Sequence, residues 1–387
     1  MGAYLAWHSR VRGSNMDTFD VSRLAKPSDW AALDDDSLES SMAELSSGVD
    51  AAFEEAKREL AAEKAAKKAA KKATKKQLEG PASSKIEIVD THVHLWSKEE
   101  LPPWLAGDAA LASIALDRTI VDYTAEVSAV TSCVYMEVDV APKDRAREAA
   151  AIVRLCADPS NRLRGAVIGA PIVDGSVEEF AAWVSKWASE DAVKGVRQVL
   201  HPQPAGTCLR DDIVAKARLA GEANLVFELC MRADDLASVA KLAAAAPATR
   251  LVLDHCGGHH QLTAASGAPM RDAWRAGIEL LAKHDNVYCK LSGLLGAQGG
   301  AEGGGGVSGW TPEDQRETVL WCLHHFRPER LLFGGDWPVC TLSAPIGAWV
   351  ECCEALLREV GFSAEQQSCV WAKTARHVYS LGLEALD

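Results

Sequence analysis

The sequence predicts an α/β fold, a (β/α)8 (TIM) barrel spanning residues 85–387, preceded by a largely helical or disordered extension over residues 1–84. Three observations predict it. From Lys85 onward, strand-like and helix-like segments alternate. The strand-like runs number eight, which suits a closed ring of parallel strands covered by helices. Polar residues gather at the far end of almost every run, where barrel enzymes keep their reacting groups.

The extension opens with a short apolar stretch among basic residues and serines, then turns acidic and Ser-rich in "LDDDSLESSMAELSSG". It continues as "AAFEEAKRELAAEKAAKKAAKKATKKQ", a run of strong helix formers with acids early and lysines late, as a helix dipole prefers. Its apolar face is mostly alanine, so it reads as a solvated helix or tether, and "EGPASS" ends it as a linker. The eight strand candidates follow as "IEIVDTHVH", "SCVYMEVDV", "LRGAVIGAPI", "VKGVRQVL", "NLVFELCM", "RLVLDHCGG", "NVYCKLSGL" and "RLLFGGDWPV". Helical stretches such as "DRAREAAAIVRLCAD", "SVEEFAAWVSKWASE" and "DDLASVAKLAAAA" lie between them. An open doubly wound sheet fits less well, because no G-x-G-x-x-G follows the first strand. The tract "GGAEGGGGVSG" comes after the seventh and reads as a flexible loop.

Composition narrows the function. Residues 1–84 carry 13 Lys+Arg against 14 Asp+Glu, which leaves 28 against 40 for the rest and places most of the net charge of -13 on the barrel. An acidic surface argues against nucleic acid, whose phosphates call for clustered Lys and Arg. All 11 cysteines lie after residue 132 with no CxxC pair, which points to free thiols and a reducing, cytoplasmic setting, with organelle targeting by the extension left open. No apolar run is long enough for a membrane span. A small-molecule partner is expected.

The strand ends supply His92 and His94, Glu137, Arg197, Glu228, His255, Lys290 and Asp336. Side chains two apart on a strand share a face, so His92 and His94 aim at one place and can reach one divalent cation such as zinc, with Asp336 as a third ligand or as base toward water. Glu137 is a further ligand candidate, and Asp90, two residues before His92, is expected on the same face as an anchor. Arg197 and Lys290 are read as contacts for a substrate carboxylate or hydroxyl, with Glu137, Glu228 and Trp337 also placed at the substrate. The plainer readings are an Arg197–Glu228 pair across the mouth, a buried ion pair for Lys290, and packing for Trp96, Trp104 and Trp337. The paired histidines His259/His260 and His324/His325 are not expected to act.

"VDTHVHLW", "GVRQVL", "LVLDHCGG", "NVYCKLSGL" and "PERLLFGGDWPVC", in this order, resemble the amidohydrolase superfamily and its lactonase branch, and "PPWL" at Pro102 to Leu105 adds to the likeness. The resemblance covers 86–382. It implies a hydrolase opening a small sugar-acid or dicarboxylate lactone, with His92, His94, His255 and Asp336 around the reacting carbonyl. It also implies either one divalent metal, often zinc, or none. Zinc-dependent non-oxidative decarboxylation, in the same superfamily, and a non-catalytic barrel scaffold are the alternatives. Where relatives have a histidine after "GVR", this chain has Gln198, with His201 three residues on.

Overall fold

The computed structural model describes residues 86–258, 267–295 and 312–382, without the side chains of residues 312 and 314. The expectations for the N-terminal extension, the glycine tract, His259 and His260 lie outside these residues. Within them, eight parallel strands form one sheet in sequential order: β1 (Val89–Val93), β2 (Ser132–Met136), β3 (Leu163–Gly169), β4 (Val193–Arg197), β5 (Val226–Leu229), β6 (Leu251–Leu253), β7 (Val287–Leu291) and β8 (Leu331–Phe333). Each falls on one of the predicted runs. Helices follow strands as α1 (Ile120–Glu126), α2 (Arg145–Cys156), α3 (Val177–Trp187), α4 (Asp211–Glu222), α5 (Leu236–Ala245), α6 (Gly267–Leu281), α7 (Pro312–His325) and α8 (Ile346–Glu359). The (β/α)8 prediction holds.

Local chemistry sets several starts. Thr119 caps α1 in a reciprocal box with Asp122, and Ser176 caps α3 with Glu179, so each pair satisfies backbone donors that the first turn leaves open. Alternating side chains then divide the core. Val89, Val134, Met136, Val167, Val226, Val252 and Leu332 fill the barrel interior together with Ala375, Val378 and Tyr379 of the C-terminal helical segment. Outward residues such as Val93, Tyr135, Ile168, Phe227 and Leu253 pack under the helices.

The ring is joined where β8 meets β1. Val93 and Trp337 form a parallel bridge, the His94 amide donates to the Trp337 carbonyl at 2.8 Å, and the Asp336 amide donates to the His92 carbonyl at 2.9 Å. The Thr91 hydroxyl adds a bond to the Phe333 carbonyl at 2.7 Å. This seam carries the H-x-H motif on one side and Asp336 on the other. Among the described residues every cysteine is a free thiol, and no helix is long and apolar enough to cross a membrane.

Candidate active site

The register of β1 against β2 slips between Asp90 and Val93. A bulge of this kind shifts the in-and-out alternation by one residue. Val89 therefore faces the barrel interior, while Asp90 faces the helix layer, accepting from the Tyr123 hydroxyl at 2.8 Å and the Gly335 amide at 2.7 Å. The expectation that Asp90 shares a face with His92 fails for this reason. Asp90 still steadies the site, since it also accepts from the His92 amide at 3.0 Å and so ties the H-x-H strand to the loop that carries Asp336.

Beyond the bulge, His92 and His94 both turn inward, their ring centroids 4.9 Å apart, and His255 lies 4.6 Å from His92. Asp336 Oδ1 stands 3.4 Å from His94 Nε2 and 3.7 Å from His92 Nε2. The four side chains predicted around the reacting carbonyl thus converge, and all are buried. Two of them reach this position through unusual backbone. His255 and Asp336 adopt left-handed φ values of 54° and 58°, which non-glycine residues rarely take and which often mark functional sites. The Ser292 hydroxyl lies 3.0 Å from His255 Nδ1 and fixes the ring.

Below the histidines lies a charged layer whose centre, Asp254, sequence reasoning missed. Asp254 Oδ2 pairs with Arg197 Nη1 at 3.1 Å, and its Oδ1 lies 3.0 Å from Lys290 Nζ and 3.4 Å from His92 Nδ1. Arg197 also holds Glu137, through Nε to Oε1 at 2.6 Å and Nη2 to the backbone carbonyl at 2.7 Å. Lys290 pairs with Glu228 at 2.9 Å, and Glu228 accepts a second bond from the Tyr379 hydroxyl rising from the barrel floor. Arg197 therefore pairs with Glu137 and Asp254, not with Glu228, because Lys290 stands beside Glu228. The buried ion pair weighed for Lys290 is what the structure contains.

Other candidates point elsewhere. Trp337 is fully buried against Tyr123 and donates through Nε1 to Glu126 at 2.7 Å, so it packs beneath α1. Gln198 accepts from the Val173 amide at 2.7 Å. His201 is half-buried on the loop after β4, its Nδ1 3.5 Å from Cys230 Sγ, and burial lowers its imidazole to about 4. Trp104, 38% exposed, stands edge-on to Trp96, which stacks near His94. His325 lies on α7 beside Trp321 and Glu279, in the outer ring.

Electrostatics sort the protonation states. Burial pushes the His92 imidazole well below its ordinary range despite the neighbouring Asp254, and it lowers His255 as well. Burial works against an ionised Asp336, yet His255, His94 and His92 outweigh it and hold its carboxyl far below the usual range. The cluster is therefore one carboxylate among imidazoles.

These residues fit a divalent metal. Ligand atoms of His92, His255 and Asp336 all lie within 4.8 Å of one another. His94 Nδ1 faces the Met136 carbonyl at 3.0 Å, and its Nε2 stands 3.4 Å from Asp336 Oδ1, beside this group. The Asp254–His92 contact is the carboxylate–histidine pairing common behind metal ligands. His255 joins His92 and Asp336 in this group, and His94, the other ligand expected from the sequence, stands beside it. Glu137 is committed elsewhere, since Oε1 takes Arg197 and Oε2 the Asp139 amide at 2.7 Å.

A family model described as Amidohydrolase matches residues 89–381, from the first strand to the end of the C-terminal segment. The chain belongs to the amidohydrolase family. One relative, an L-fucono-1,5-lactonase of Burkholderia multivorans, is 28% identical over 76% of this chain and 96% of its own length. An L-rhamnono-gamma-lactonase of Scheffersomyces stipitis is 22% identical over 77% of this chain and 100% of its own. Among solved structures, a zinc-bound amidohydrolase from Burkholderia multivorans superposes with a TM-score of 0.63 at 25% identity, covering 76% of this chain and 99% of that one. This amidohydrolase is accordingly an enzyme, with its histidine–aspartate cluster at the barrel end where the fold places chemistry.

Proposed function

We propose that this amidohydrolase opens a small lactone by attack of water, giving the open hydroxy acid. The observation that carries the reading is the position of Asp336, an ionised carboxylate within 3.4–3.7 Å of the His94 and His92 ring nitrogens and in the same ligand group as His255. The lactonase names of the two relatives support it.

In the proposed reaction, water adds to the carbonyl carbon while Asp336 takes its proton. The carbonyl oxygen becomes an oxyanion beside His255 and the H-x-H pair, whose fixed orientation lowers the cost of that charge. The ring carbon–oxygen bond then breaks, and the departing alkoxide recovers the proton from Asp336. The depressed pKa of Asp336 keeps its carboxylate ionised and so able to accept that proton. If a divalent metal is held, His92, His255 and Asp336 are its ligands, with His94 adjacent; it would polarise the carbonyl and add positive charge at the oxyanion. Asp254 would fix the His92 ring, and Ser292 that of His255.

The test is acid release from a panel of sugar-acid lactones at neutral pH, before and after chelation, beside Asp336→Asn. Turnover should fall by about 10²–10⁴-fold in the variant, since an amide cannot accept the proton. Full activity in Asp336→Asn would refute the assignment.

A further inference from the structure

Where a second carboxylate on the substrate could be held is decided by the cations at the C-terminal ends of the strands. Inside the barrel Arg197 and Lys290 are both fully buried, and each already bridges two acids. Among the described residues, the guanidinium groups at the C-terminal ends of β1, β2, β4 and β5 are also engaged. Arg145 grips Asp174 through two bonds of 2.9 Å, Arg210 grips Asp212 at 2.9 and 2.7 Å, and Arg232 grips Asp234 at 3.0 and 2.8 Å. Arg118 donates to the Ser113 carbonyl at 2.6 Å and lies 3.7 Å from Glu126. Lys98 and Lys143 are exposed, where water and salt weaken their hold on an anion. The stretches 259–266 and 296–311, which follow β6 and β7, contain no Lys or Arg at all.

Acids outnumber cations in the interior, with Glu137, Glu228, Asp254 and Asp336 against Arg197 and Lys290. A ligand carboxylate added there would meet like charge and would have to strip Arg197 or Lys290 from a buried partner, which costs far more than an exposed pair gains. The carboxylate that hydrolysis itself creates forms at the reacting carbon, among the histidines, and needs no separate cation.

We propose that the site selects uncharged, hydroxylated lactones and discriminates against lactones that carry a further carboxylate. The inference rests on the lactonase reading and goes beyond it, because a sugar-acid lactone and a dicarboxylate lactone are opened by the same chemistry. The residues nearest the mouth are neutral and aromatic instead. His201 is half-buried on the loop after β4, its Nδ1 3.5 Å from Cys230 Sγ, and Trp104, 38% exposed on the loop after β1, offers a surface for a sugar ring.

The experiment compares a neutral aldonolactone with a glucarolactone of the same ring, using the full chain and reading kcat/KM for each. The neutral lactone should be favoured by about 100-fold or more, the scale on which repulsive charge sets specificity. A His201→Arg variant, which adds a cation at the rim, should narrow that ratio by about tenfold through a lower KM for the carboxylated lactone. Equal or better turnover of the carboxylated lactone would overturn the charge selection while leaving the lactonase reading intact, and an unchanged ratio in His201→Arg would overturn charge as its cause. If neither lactone is opened, the lactonase reading falls. Calorimetric titration with the neutral and carboxylated lactams of the same ring then decides the selection: tighter binding of the neutral lactam supports it, and tighter or equal binding of the carboxylated one overturns it.

Discussion

Gly293 sits against the ring of His255, and replacing it with alanine should move that ring without replacing any proposed reacting group. A Cβ built at Gly293 would fall 2.2 Å from His255 Nδ1 and 2.5 Å from Cγ, against ordinary contacts of 3.4 Å or more. The ring or the loop must therefore shift by about 1 Å. Displacement of that size at a reacting group can cost about 100-fold in rate. Gly293 also has φ +66°, so an L residue there adds about 1–2 kcal/mol of backbone strain. Gly361 separates the two effects, for its φ is +77° and nothing lies within 4 Å of its built Cβ. Gly293→Ala and Gly361→Ala should both melt a few degrees below the wild type, about 2–8 °C. Only Gly293→Ala should lose about 100-fold in lactone kcat/KM. The assay pairs thermal unfolding with initial rates of acid release. Activity of Gly293→Ala within threefold of Gly361→Ala would refute the role given to the His255 position.

Two further predictions concern charge. Lys290→Met removes the ammonium between two fully buried acids, Glu228 and Asp254, and should cost about 3–5 kcal/mol in denaturant unfolding; a loss below about 1 kcal/mol would show that the pair is not buried as described. Glu148 accepts from the Tyr135 hydroxyl at 2.7 Å and the Val138 amide at 3.0 Å, and burial, aided by the Glu137 charge, pushes its carboxyl up to about 7. An acid whose folded pKa is raised binds its proton more tightly in the native state, so its ionisation lowers stability as pH rises from about 4.5 toward 7. Glu148→Gln should therefore gain on the wild type in denaturant midpoint between pH 5 and pH 8, and a constant difference between the two would contradict the shift.

How far the site could be read from the sequence depended on the backbone around each residue. His92, His94, His255 and Asp336 were legible because strand-end polar residues and barrel topology agree on one location. Asp254 was not, although it lies inside the quoted motif "LVLDHCGG". Strict alternation along β6 puts Val252 and Asp254 inside and would send His255 outward. The strand ends at Leu253, and the left-handed φ of His255 turns the next side chain back in, so both neighbours serve the same cluster. The bulge in β1 does the converse to Asp90, moving a residue of the expected parity to the outer face. Local sequence carries the period of a strand but not the point at which that period is broken. Functional sites are where breaks concentrate, because reacting groups must approach one point from several strands at once. Charge pairing was hidden for a related reason. Arg197 and Glu137 are 60 residues apart, and Lys290 and Glu228 are 62 apart, so only the closed ring decides which cation meets which acid. Once it does, cations that look available for substrate in the sequence are already bound to acids, and the selectivity proposed for the site rests on the pairs that closure makes.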